Sequence, residues 1–219
     1  MKTMDTFPQA VRHLRRADPV LRRVIDRVGR CELRREHERD PFGALADAII
    51  YQQLAYRAAQ TIANRFRQIY ADGRNGAGRL PRPEELLATP LRKLRAAGLS
   101  RQKSAYLKDL AGKAADGSLP LKRIARMSDE EVIERVTAVK GIGPWTADMF
   151  LIFCLGRPDV LPVGDLGLQY GFKTAYKLRK LPSAERMTGI AEAWRPYRTV
   201  GSWYMWMVRR EEVAAKAKG

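Results

Sequence analysis

Along nearly the whole chain, apolar residues recur at spacings of three and four and rarely alternate, which restricts the protein to helices packed on helices. No segment carries a strong strand pattern. Asp18-Pro19 and Asp40-Pro41 each place a capping carboxylate before a proline suited to a first helical turn. From Asp40 the stripe Phe42, Leu45, Ile49, Ile50, Leu54, Ala58, Ile62, Phe66 and Ile69 predicts one long core helix ending near Asp72-Gly73. The glycine- and proline-rich stretch from Gly73 to Pro83 reads as a loop. Ser100 is placed to cap the following helical segment, and Ser128 with Glu131 forms a capping-box pattern. The expected architecture is all-α, about ten helices without an internal repeat, with residues 211–219 frayed at the end.

The chain of 219 residues is long enough for one good core or two small lobes. Its 41 Lys and Arg against 24 Asp and Glu give a formal charge of +17, which suggests a polyanionic partner. The basic residues run from Arg12 to Lys218, so a folded basic surface is expected and not a charged tail; arginine-rich proteins can also be basic without binding anything. Cys31 and Cys154 have no metal-site or iron–sulfur spacing, and no uninterrupted apolar stretch is long enough to span a bilayer. A reduced, cytoplasmic protein without a membrane anchor is expected, nucleoid-associated if bacterial.

The segment VKGIGPWTADMF joins two helical patterns through Gly141-Ile142-Gly143-Pro144. Two glycines one apart permit positive φ and close backbone approach, and the amides of this turn with the following helix N-terminus can cradle a phosphate. A plain helix-helix turn would carry the same residues; Lys140 beside it and the chain's charge favour the phosphate. Twenty residues past Trp145, Asp165 follows a loop containing Pro158 and Pro162 and opens another helical pattern. Taken alone, an Asp there is an N-cap.

The hairpin, its proline and the downstream Asp together resemble the helix-hairpin-helix DNA glycosylase superfamily. The text WRPYR followed by the tryptophan-rich WYMWM resembles its alkylation-repair branch, the DNA-3-methyladenine glycosylase II family. The resemblance runs from about Asp40 to Val208 and corresponds to a compact form, since too few residues precede Asp40 for the N-terminal sheet domain that some members carry. It implies a two-lobed helical bundle with the hairpin at about 136–150 and a lesion pocket between the lobes.

Residue by residue, the resemblance makes Asp165 the catalytic carboxylate. It places Trp145 and Trp206, with Tyr204 less firmly, against the extruded base. Leu54 becomes the apolar wedge that fills the vacated stack, with Gln53 beside it, although Leu54 also lies on the apolar stripe, where core burial is the alternative. Lys140, Gly141, Gly143 and Thr146 in the hairpin, Arg101 and Lys103 at a helix start, and Lys173 are expected on the DNA backbone. Strand-cutting members carry a lysine two residues after the second hairpin glycine; here that residue is Trp145, so no Schiff base is available and water is the expected nucleophile.

The expected activity is hydrolysis of the N-glycosidic bond of alkylated purines, of the 3-methyladenine and 7-methylguanine type, in double-stranded DNA. Their positive charge suits an aromatic slot, worth ~0.5–2 kcal/mol. A monomer is expected, with no iron–sulfur cluster or other cofactor; the family would also imply a monovalent cation on the hairpin carbonyls. Two alternatives stay open. One is a glycosylase for hypoxanthine, an etheno adduct or an oxidised base, which would call for an acid that the sequence does not reveal, His13 and His37 lying outside the resemblance and reading as surface residues. The other is a non-enzymatic helix-hairpin-helix DNA-binding protein.

Overall fold

The computed structural model describes residues 6–33, 40–71 and 78–217. Among them are twelve α-helices and no strand. His37 and the expected helix end at Asp72-Gly73 lie outside the described residues. The chain divides into two compact units, a terminal one of residues 1–35 and 151–219 and a central one of residues 36–150.

The central unit holds α3 (Pro41–Tyr51), α4 (Tyr56–Gln68), α5 (Pro83–Ala88), α6 (Leu91–Ala96), α7 (Arg101–Ala115), α8 (Asp129–Thr137) and α9 (Pro144–Met149). The expected caps form here: Asp40 accepts the amide of Gly43, Ser100 that of Lys103, and Ser128 and Glu131 bond reciprocally. The single long helix expected from Asp40 does not form. It is broken at Gln52–Ala55, where Gln53 adopts a left-handed φ of 56°. The two halves are tied by buried Asp47, whose carboxylate oxygens both accept from Arg67 at 2.7 Å. Two lysines of α7 serve as caps for other helices: Lys103 donates to the carbonyls of Ile50 and Gln52, and Lys108 to those of Leu87 and Thr89.

The terminal unit contains α1 (Thr6–Ala17), α2 (Pro19–Val28), α10 (Leu166–Ala175), α11 (Ala184–Ala191) and α12 (Arg198–Lys216). From α9 the chain runs on into a π-type segment, Phe150–Leu155. Asp18 caps α2 as its sequence suggests, through Oδ1 to the amides of Val20 and Leu21, while its Oδ2 accepts from the Tyr176 hydroxyl and from the indole of Trp194. Helices α10 and α12 pack through Gly171: a Cβ there would lie 2.2 Å from the carbonyl oxygen of Met205. Arg209 of α12 also lies over the Tyr170 ring of α10, 4.1 Å from its centroid. Helix α12 runs through Lys216, so most of the tail expected to fray is helical.

Candidate active site

In the terminal unit, the loop before α10 is fastened before the acid is reached. Thr199 Oγ1 donates to the Arg157 carbonyl and accepts from the Val160 amide, and Asp159 receives Arg195 and Arg198. The Gln169 side chain then holds the Val163 carbonyl at 3.0 Å. Asp165 emerges from this loop as the N-cap of α10, its Oδ1 accepting the Leu168 amide at 2.6 Å. The same oxygen accepts the indole N–H of Trp206 at 2.8 Å. The cap reading of Asp165 is therefore met: the cap fixes its rotamer, and the indole fixes the same oxygen from a second helix.

Trp206 stacks on Phe153, with centroids 6.0 Å apart and an interplanar angle of 21°. Gly167 leaves room for the pair, since a Cβ there would be 3.1 Å from Asp165 Oδ1 and 3.6 Å from Trp206. Both Asp165 and Trp206 are partly exposed. A partly exposed carboxylate with a fixed oxygen can stabilise a developing sugar cation or orient water.

In the central unit, Gly141 has φ +83° and its open side is covered by the Tyr106 ring, 2.1 Å from where a Cβ would stand, so this turn admits only glycine. The turn is held from α7 by Asp109, whose Oδ2 accepts the Lys140 amide at 2.9 Å. Burial pushes the Asp109 carboxyl up, but the Lys140 amide and Lys113 outweigh it and hold it below its ordinary range. Gln52 Nε2 donates to the Gly141 carbonyl at 2.8 Å, and the Ile142 amide donates to the carbonyl of Val139. Each of these two carbonyls thus has one protein donor, and among the described residues no group of three or more His, Cys, Asp or Glu could hold a metal.

The sequence-predicted residues separate clearly. Trp145 stands 48% exposed and Leu54 40% exposed, Leu54 at the tip of the α3–α4 break and not in the core. Lys140, Gly141 and Arg101 are exposed, and Gly143 and Lys173 partly so. Tyr204 is corrected to a core residue: its ring is fully buried against Trp203 and its hydroxyl donates to the Gly29 carbonyl. Thr146 is also largely buried, at 8% exposure. Lys103, expected on a phosphate, has its ammonium on two backbone carbonyls at 2.7 Å each, where burial lowers its pKa below the ordinary lysine value.

Several residues escaped the sequence reading. Phe153 lies in FLIFCL, where an unbroken apolar run shows no face. Tyr106 and Asp109 follow Lys103 at three-residue spacing on α7, a polar pattern that could have pointed to them. Asp148 follows Trp145 by three on α9; it is half-buried, has no hydrogen-bond or ion-pair partner among the described residues, and burial raises its pKa to about 6.

A helical chain with a glycine-hinged hairpin that can hold phosphate, followed by a fixed carboxylate at a helix head, is a helix-hairpin-helix protein. The chain belongs to the HhH-GPD superfamily of base excision DNA repair proteins, whose pattern its residues 46–196 match. It is 38% identical over 205 residues to DNA-3-methyladenine glycosylase 1 of Schizosaccharomyces pombe, covering 93% of this chain and 88% of that protein. The fold matches the S. pombe 3-methyladenine DNA glycosylase in complex with abasic DNA at a TM-score of 0.77 and 36% identity, over 90% of this chain and 95% of the other. It matches the DNA-3-methyladenine glycosidase of Bacillus halodurans at a TM-score of 0.84 and 34% identity, over 94% and 91%. Among the described residues, no helix is long and apolar enough to cross a membrane.

Proposed function

We propose that this protein is a monofunctional DNA glycosylase that hydrolyses the N-glycosidic bond of alkylated purines in duplex DNA, acting as a monomer. The observation that carries the reading is Asp165 Oδ1, held at once by the head of α10 and by the indole of Trp206. As the base departs, positive charge grows on the sugar, and a carboxylate already oriented stabilises it without reorganising. Trp206 and Trp145 offer the aromatic faces that a cationic base prefers. Leu54 fills the stack left by the extruded nucleotide, offsetting part of an unstacking cost of a few kcal/mol. The hairpin amides at Gly141 and Gly143, with Lys140, Arg101 and Lys173, take the phosphates. Water completes the reaction, since Trp145 stands where an amine would be needed.

The test is release of free base from methylated duplex DNA, with borohydride added. Free 3-methyladenine or 7-methylguanine with an unbroken strand and no trapped adduct is the expected result; a trapped adduct overturns the monofunctional reading. Asp148 favours a second reading, a neutral lesion such as hypoxanthine, because such a base needs a proton donor and this carboxyl titrates near 6 on the helix of Trp145. Hypoxanthine release that falls above pH 6 and is lost in Asp148→Asn is the result that reading requires.

A further inference from the structure

The α3–α4 break leaves the carbonyls of Ile50 and Gln52 without helical partners, just before the exposed Leu54. In a turn pushed against stacked bases, such carbonyls would ordinarily be left to water, and the turn could yield. Here Lys103 Nζ closes both, at 2.7 Å each. From the same turn, the Gln52 side chain crosses to the Gly141 carbonyl of the hairpin at 2.8 Å. Three residues along α7 from Lys103, Tyr106 covers Gly141, its hydroxyl accepting from Gln102 at 2.6 Å. Three further on, Asp109 holds the Lys140 amide and is itself held by Lys113. One face of one helix thus fastens both the wedge turn and the hairpin turn.

We propose that α7 and Gln52 form a brace that locks the Leu54 turn to the hairpin, so that the grip on the phosphates supplies the reaction force for base extrusion. Lys103 and Gln52 are positioning residues for flipping, and Lys103 makes no phosphate contact. This rests on the reading of Leu54 as the wedge. The physical argument is that extrusion costs a few kcal/mol, and a wedge on a compliant turn returns that energy as deformation of its own backbone. A brace matters only where there is a stack to enter. Its loss should therefore affect lesions in duplex DNA and spare the same lesion in a single strand.

The experiment compares single-turnover excision of 7-methylguanine from duplex and single-stranded DNA by wild type, Gln52→Ala, Lys103→Met, Lys103→Arg and Leu54→Gly. Gln52→Ala and Lys103→Met are expected to lose about tenfold or more on duplex and less than about threefold on single strand, with partial recovery in Lys103→Arg. The salt slope of duplex binding should be unchanged in Lys103→Met, whereas loss of a phosphate contact would lower it by about one. Equal losses on both substrates, no loss on either, or a reduced salt slope overturns the brace. If Leu54→Gly itself shows no selective loss on duplex, the wedge reading fails first. Should Lys103→Met not fold, Gln52→Ala, which removes only a partly exposed side chain, decides the matter.

Discussion

Replacing Gly171 by alanine should separate the two helices that hold the Asp165 carboxylate. The added methyl would stand 2.2 Å from the Met205 carbonyl oxygen and 2.7 Å from its carbon, whereas ordinary contact begins near 3.4 Å. The obstacle is the backbone of α12, which cannot turn aside as a side chain can, so α10 and α12 must part by about 1 Å. Overpacking of this kind costs about 1–3 kcal/mol, and contact with backbone puts it at the upper end. Alanine returns up to about 1 kcal/mol through helix propensity. The net loss is about 2 kcal/mol, or a fall in Tm of about 4–8 °C for a chain of this size. Gly189→Ala on α11, where nothing lies within 4 Å, provides the contrast and should raise Tm by about 1–4 °C. Thermal unfolding followed by circular dichroism measures both. Because α12 carries Trp206, the excision rate of Gly171→Ala should fall more than its DNA affinity. A Tm for Gly171→Ala at or above wild type would refute the reasoning.

Trp206→Phe keeps a ring against Phe153 but removes the N–H on Asp165 Oδ1; a charge-assisted bond of about 1.5–3 kcal/mol predicts a 10- to 100-fold slower single-turnover rate with DNA affinity retained. An unchanged rate would show that the indole does not position the acid. Asp18→Ala strips the cap of α2 and leaves the Tyr176 hydroxyl and Trp194 indole unpaired, and should cost about 3–5 kcal/mol, read by denaturant unfolding. Asp148 has a folded pKa near 6 against 3.8 ordinarily, so the folded state holds this proton more tightly than the unfolded chain. The cost of ionising it is absent below about pH 4, grows as pH rises to 6 and is complete above. Discounted for its half-exposed position, that cost is about 1–2 kcal/mol. Asp148→Asn should therefore raise Tm at pH 7.5 and leave it nearly unchanged at pH 4; an equal shift at both would refute the assignment.

The helical class, the caps at Asp18, Asp40, Ser100, Ser128 and Asp165, and the glycine turn at Gly141 were all legible in the sequence, because each is a local pattern with a local physical cause. The break at Gln52–Ala55 was not. Leu54 and Ala58 continue the apolar spacing without glycine or proline, and the carbonyls that end α3 are satisfied by Lys103, far along the chain. Tyr204 and Trp206 pose the same difficulty on a smaller scale. Two positions apart on a helix, they point to opposite sides, and nothing in WYMWM tells which side is core; the Gly29 carbonyl and Asp165 decide it. Likewise, a lysine at a helix start looks alike whether it meets a phosphate or caps a neighbouring helix.

The most direct test of the central claim is single-turnover release of 7-methylguanine from duplex DNA by wild type and Asp165→Asn, with affinity for abasic DNA measured on the same samples. The account predicts that Asp165→Asn, which keeps an oxygen for the Leu168 amide and the Trp206 indole, binds abasic DNA to within a few-fold of wild type and loses release by a factor of about a hundred or more. Release within threefold of wild type would contradict it, and the carboxylate would then be a helix cap and nothing more.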